Sequence, residues 1–272
     1  MILTIIIGKN SNLSKKLFNK LPNCFLVSSR ELLESVDVLS QFKNKNKNII
    51  FNNFQPATEL NSIQNSELYI KNSILSTSIV LEYFKDTDVN KIIYTSSSSV
   101  YGNNIFCKEE DALRPMNLHA SLKVANEKLI EKYCNENSID YTIARIFNMY
   151  GGDDKFSIIS KILYMYFNKK DLTIVNNGNA IRDFIHIDDV VSIYLSILNL
   201  QNVKIVNIGT GYGSSIKNIL DFLLNNDIKI KTKNIYKDEL KTSTADTKLL
   251  FKIINKETFI KIEDYLKVEL KL

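Results

Sequence analysis

The run ILTIII closes on Gly8 and gives way to NLSKKLFNKL, whose apolar positions 13, 17, 18 and 21 recur at helical spacing. A strand, a glycine-bearing turn and a helix in that order restrict the chain to folds built on parallel βαβ crossovers, provided the pattern continues. It does continue. FLVSS (25–29), NIIFNN (48–53), KIIYTSS (91–97), DYTIARI (140–146) and KIVNIG (204–209) are further short runs rich in β-branched residues. Helical periodicity occupies 65–84, 119–136, 157–168 and 187–200 between them. The strand runs are almost continuously apolar, as strands covered on both faces must be. The expected architecture is α/β, with a doubly wound parallel sheet.

Glycine use sharpens this picture. Of eight glycines only Gly8 falls in the first hundred residues, and the others stand in YG (101–102), YGG (150–152), NNGN (176–179) and GTGYG (209–213). Glycine rationed in this way marks turns that need positive φ or close approach to another group. The first turn reads G8-K-N-S11-N-L-S14, a GxxGxxG spacing with only its first glycine present. Ser11 and Ser14 are small enough to allow backbone approach to a phosphate, and Lys9 adds positive charge. The second strand delivers Ser28-Ser29-Arg30, not an acid. Arg30 either meets a 2′-phosphate, which favours NADP(H) over NAD(H), or simply opens the helix RELLES.

Bulk properties exclude several classes. With 44% hydrophobic and 24% charged residues, and no apolar run near the ~20 needed to span a bilayer, a soluble protein without membrane attachment is expected. Met1 leads straight into a strand, so no signal peptide is expected. Cys24, Cys107 and Cys134 are three widely spaced cysteines, which speaks against disulfides and against a metal site, and for a reducing cytoplasmic setting. The net charge of +5 comes from scattered lysines rather than a basic stripe, so nucleic acid is not an expected partner. KNKNKN (43–48) reads as a short exposed loop.

TSSSSVYG (95–102) stands at the end of a strand, where open α/β sheets place their ligands. It is followed by His119-x-x-x-Lys123, RIFNMYG (145–151), RDFIHIDDVV (182–191), VNIGTGYG (206–213) and TSTADTKLL (242–250). With these motifs in this order the chain resembles the extended short-chain dehydrogenase/reductase family, in its branch of NAD(P)-dependent sugar-nucleotide epimerases, dehydratases and reductases. The resemblance implies a Rossmann-type domain over 1–150, with 182–205 packing back onto it, and a smaller substrate-binding lobe from 151–181 and 206–272. It further implies that Gly8, Ser11, Asn12, Ser14, Arg30, Asn53, Ser96 and Lys123 bind the cofactor, and that Ser98, Asn148, Arg182 and Asp246 face a nucleotide-sugar substrate. Ser97, His119 and Lys123 take the catalytic positions; a homodimer is left open.

One position departs from the family pattern. His119 stands where the family has its tyrosine acid/base, four residues before the lysine, and i,i+4 spacing puts both side chains on one helix face. The charge of Lys123 makes a tyrosine useful at neutral pH but pushes a histidine lower still. His119 either moves the proton itself, or leaves that task to another group or a water, or marks lost redox activity. Ser98 and Ser99 occupy the positions where a 4,6-dehydratase needs an Asp-Glu pair, which argues against that elimination. The reading that results is an NAD(P)H-dependent reductase of a nucleotide-linked 4-keto-6-deoxysugar in deoxysugar and polysaccharide biosynthesis. An NAD-dependent 4-epimerase and a non-catalytic dinucleotide or nucleotide-sugar binding protein are the alternatives. His186 reads as structural and hydrogen-bonded, and Cys107 lies in a loop within reach of the substrate.

Overall fold

A computed structural model describes residues 2–53, 65–254 and 258–272. Its main sheet has six parallel strands in the order β10-β6-β4-β3-β1-β2. In chain order these are β1 (Leu3–Ile7), β2 (Cys24–Val27), β3 (Lys47–Phe51), β4 (Val89–Ser97), β6 (Asp140–Ile146) and β10 (Ile205–Ile208). Strand alternation splits the core in two. Ile6, Ile50, Ile93, Ala144 and Val206 point to one face and pack on Leu13 and Leu17 of α1 (Asn12–Phe18) and on Val190, Tyr194 and Ile197 of α7 (Ile187–Leu198). Ile5, Ile7, Ile49, Phe51, Ile92 and Tyr94 point to the other and meet α2 (Ser29–Glu34), α4 (Ser76–Tyr83) and α5 (Leu118–Glu136). Helices therefore cover both faces, and the order of the strands reverses at β1 and β3, which places a crevice beyond their carboxyl ends.

Ahead of α4, α3 (Ser66–Ile70) runs through a π-helical turn at Lys71–Leu75. A second, smaller sheet has the order β11-β9-β13-β5, from β5 (Phe106–Cys107), β9 (Ile181–His186), β11 (Gly213–Ser215) and β13 (Thr242–Ala245), with β7 (Asn148–Tyr150) also paired to β9. A third pairs β8 (Leu172–Val175) with β12 (Thr232–Ile235). Around these sheets lie α6 (Ile158–Phe167), α8 (Ile216–Leu224), α9 (Lys248–Ile253) and α10 (Ile262–Leu270). Ile159, Ile162, Leu172, Phe184, Ile219 and Leu266 form the separate core of this part of the molecule.

The expected exposed loop at 43–48 is only half correct. Lys43 to Asn46 are exposed, but Lys47 and Asn48 begin β3 and are buried. The aliphatic stem of Lys47 accounts for this, because its ammonium finds Thr87 Oγ1 at 3.1 Å and the carbonyls of Asp88 and Lys43 at 3.2 and 3.3 Å. Burial holds its pKa below the ordinary lysine value, with Asp88 opposing the shift. Among the described residues no helix is long and apolar enough to cross a membrane.

Candidate active site

The first turn is locked from within. Gly8 has φ +111°, and a Cβ there would lie 2.2 Å from the Asn52 carbonyl oxygen, so β3 closes directly over the turn. Ser11 caps α1 by accepting from Ser14 N at 3.0 Å. Asn52 Nδ2 then donates to both Ser11 Oγ and Ser14 Oγ, at 2.6 and 2.8 Å. The two hydroxyls that replace family glycines are thus drawn inward. Asn12, expected at the cofactor, instead grips the glycine loop that follows β7, donating to Gly151 O at 2.9 Å and accepting from Asp153 N at 3.2 Å. Asn53 Nδ2 holds the start of α4 through Ser76 Oγ and Thr77 Oγ1, at 3.2 and 3.1 Å.

β4 delivers the serine run. Ser97 Oγ accepts from Ser99 N at 3.2 Å and from Ser99 Oγ at 3.0 Å, which leaves its own hydrogen to be given elsewhere. Ser98 opens the 3-10 turn Ser98–Tyr101 and is half-buried. Asn117 caps α5 by accepting from Ala120 N at 2.8 Å, so the helix starts where His119 and Lys123 fall on the face turned to β4. Lys123 Nζ donates to Thr95 O at 2.7 Å and lies 5.1 Å from the centre of the Tyr94 ring. Both His119 and Lys123 are buried. Together with Asn53, Tyr69, Ser73, Tyr94 and Leu122 they line a cavity of about 20 Å³, enough for a single water.

Burial governs the charges. Desolvation first, then the charge of Lys123, lowers the His119 pKa to about 3, so the imidazole is neutral at physiological pH. Desolvation lowers Lys123 to about 8, with Glu127 pulling it back up. Glu127 was not singled out from the sequence. Its carboxylate accepts from the Ser96 hydroxyl and from Arg145, Nη2 to Oε2 at 2.8 Å and Nε to Oε1 at 3.2 Å. Arg145 also donates to Tyr101 OH at 2.9 Å, and Tyr101 donates to Asn207 Oδ1 at 2.7 Å. Ser96 is therefore tied to this network.

Asn148 and Arg182 lie on β7 and β9 of the second sheet and Asp246 directly follows β13, and next to Arg182 stands a residue the sequence reading missed, Asp183. This fully buried carboxylate accepts from Thr210 N at 2.8 Å, Thr210 Oγ1 at 2.7 Å, Gly211 N at 2.9 Å and Ala245 N at 3.1 Å, and Asn148 Nδ2 donates to its carbonyl at 3.0 Å. These four donors lie in GTGYG (209–213) and in TADT (244–247), which contains Asp246; only their sequence separation hid the partnership. Arg182 itself pairs with Glu239 at 3.6 Å, and Asp246 accepts from Lys248 N at 3.0 Å. His186 caps α7, accepting from Asp188 N at 3.2 Å. Cys107 is not in a loop open to substrate. It lies fully buried in β5, and burial lifts its thiol to about 11.

Arg30 lies exposed in the first turn of α2, where its amide merely donates to Ser28 Oγ at 3.3 Å. The residue beside the glycine turn is an acid, Glu31, whose carboxylate is 3.8 Å from Lys9 Nζ. A dinucleotide fits this set: a glycine turn at a helix start, an acid beside it and a buried lysine at the far end of the crevice.

The sequence model described as "NAD dependent epimerase/dehydratase family" matches residues 13–209. A UDP-glucuronate 4-epimerase of Thermodesulfobacterium geofontis is 30% identical over 214 residues, covering 76% of this chain and 66% of that protein. A putative UDP-glucose 4-epimerase of Methanocaldococcus jannaschii is 31% identical over 183 residues, covering 65% of this chain and 59% of that protein. In both, the match spans less than two thirds of the relative's length. Among solved structures, MoeE5 in complex with UDP-glucuronic acid and NAD has a TM-score of 0.87 at 19% identity, covering 99% of this chain and 98% of its own. A UDP-glucuronic acid 4-epimerase from Bacillus cereus, in complex with UDP-glucuronic acid and NAD, has a TM-score of 0.82 at 21% identity, covering 99% and 98%. These two share the fold, and the cofactor in each is NAD. The preference for NADP(H) drawn from Arg30 is thereby overturned, in keeping with Glu31 rather than Arg30 standing at the turn.

Proposed function

We propose, from the premise that this chain belongs to the NAD dependent epimerase/dehydratase family, that it is an NAD(H)-dependent reductase of a nucleotide-linked 4-keto-6-deoxysugar. The observation that carries this reading is the buried, neutral His119 beside Lys123, with hydroxyls instead of carboxylates at 98 and 99. When bound, NADH supplies the hydride. A neutral imidazole cannot give up an imidazolium proton at pH 7, but its N–H is a donor that can polarise a carbonyl, the role a reduction needs. Ser97, whose oxygen already accepts twice from Ser99, directs its hydrogen to the same sugar oxygen. Lys123 carries positive charge toward the developing alkoxide and the nicotinamide ribose, and the alkoxide left by hydride transfer takes its proton from solvent to complete the alcohol.

Glu31 suits the adenosine ribose hydroxyls, and residues 1–150 with 182–205 are read as the cofactor half. The lobe of 151–181 and 206–272 is read as the nucleotide-sugar half, containing Asp246 and met at its boundaries by Asn148 and Arg182. A 4-epimerase is the second reading, favoured by the similarity to the UDP-glucuronate and UDP-glucose 4-epimerases. One experiment separates the two. NADH consumption is followed with a panel of nucleotide-linked 4-keto-6-deoxysugars, while interconversion of 4-epimeric UDP-sugars is followed chromatographically with catalytic NAD. Stoichiometric NADH loss supports reduction, and epimer formation without net cofactor change supports the second reading. A protein that binds NADH and performs neither sinks both.

A further inference from the structure

Glu127 follows Lys123 by one helical turn and shares its face of α5, yet it is 1% exposed and bonded to two other elements of the fold, β4 and β6. Its carboxylate accepts from the Ser96 hydroxyl on β4, the residue before Ser97, and from Arg145 on β6 in a two-point fork. Arg145 in turn donates to Tyr101, at the end of the turn that Ser97 caps, and to Glu109 O at 3.0 Å. A fork of this kind fixes a carboxylate in orientation as well as in place. A buried pair is not retained for stability alone, since well-packed apolar residues often do as well.

We propose that Glu127 is a positioning residue: clamped by Arg145, it holds the Ser96–Ser97 strand end against α5 and fixes its carboxylate one helical turn from Lys123, on the face that carries the lysine. This deepens the reading of Lys123 given above and rests on it for the catalytic consequence. Several groups among the described residues face Lys123. From β4 come Thr95 O and the Tyr94 ring, from α5 His119 and Glu127, and from the cavity wall Asn53, Tyr69 and Ser73. Glu127 is the carboxylate acting on this lysine, and it raises a pKa that burial depresses to about 8. Without its charge, Lys123 gives up its proton at a pH where the wild type keeps it.

The test reads Lys123 directly. Protein carrying ¹³C-labelled lysine is titrated by NMR, the Lys123 resonance being assigned by its absence from Lys123→Met. Glu127→Gln is paired with the double variant Glu127→Gln/Arg145→Gln, which leaves no buried unpaired cation and so guards against simple misfolding. Glu127→Gln is expected to lower the Lys123 midpoint by about one pH unit or more, the usual effect of losing a nearby opposite charge, and the double variant, which loses a positive charge as well, to lower it by less. In enzyme that turns over, the fall in kcat at alkaline pH should move by the same amount, and Arg145→Lys, which keeps the charge balance, should leave the midpoint in place. An unchanged midpoint in Glu127→Gln, or one that falls further in the double variant than in the single, overturns the proposal whether or not a substrate is known. Absence of turnover with a shifted midpoint counts against the reductase reading alone.

Discussion

His119 makes the chain pay nothing at neutral pH and a good deal in acid, and the size of that acid sensitivity can be worked out. Its ordinary pKa of 6.5 falls to about 3 in the folded protein because burial and Lys123 both disfavour the imidazolium. The unfolded chain therefore binds a proton between these values that the folded chain refuses, so stability rises with pH across the window from about 3 to 6.5 and is flat above it. At ~1.4 kcal/mol per pKa unit, going from pH 7 to pH 4 costs about 3 kcal/mol at this one site, against a total stability of about 5–15 kcal/mol for a folded domain. Other groups titrate over the same range, so the quantity to measure is a difference. Urea unfolding of the wild type and of His119→Gln, at pH values from 7 to 4, should show the variant gaining about 3 kcal/mol on the wild type as the pH falls. A difference that does not change with pH would refute the buried, neutral imidazole, and with it the role assigned to its N–H.

Three further outcomes are expected. Glu31→Gln should weaken NAD binding, measured by calorimetry, by about tenfold, the scale of one charge-assisted hydrogen bond; equal affinity would remove Glu31 from the cofactor site. Asp183→Asn sets an amide N–H against donors from Thr210, Gly211 and Ala245, and should lower stability by about 3 kcal/mol in denaturant unfolding. Gly8→Ala places a Cβ 2.2 Å from Asn52 O at φ +111° and should cost more than about 2 kcal/mol by the same assay, with NAD affinity reduced in whatever protein still folds.

The main sheet was legible because its strands are long enough to declare a pattern. DYTIARI corresponds residue for residue to β6, and the helix read at 119–136 is α5 with one residue added at its start. The second sheet was not legible in detail. β5, β7 and β11 have two or three residues each and gain their partners only through long-range pairing, so no periodicity marks them. Lys47 was read by composition, whereas β3 claims it by register with Leu3. At the site, residue type and motif spacing brought His119 and Lys123 to one helix face. They said nothing of Glu127, Arg145 or Asp183, whose roles depend on contacts 18 to 62 positions away along the chain. Arg30 misled because the second strand ends at Val27, two residues before the run FLVSS does, and α2 begins at Ser29, which leaves the adjacent Glu31 beside Lys9.

The lock beneath the first turn makes three positions interdependent. Asn52 is 2% exposed, and its Nδ2 spends both hydrogens on Ser11 and Ser14. Glycine at both positions would strand a buried amide, a penalty of about 1–3 kcal/mol. A standard GxxGxxG turn grafted into this chain without a matching change at position 52 should therefore yield a less stable protein.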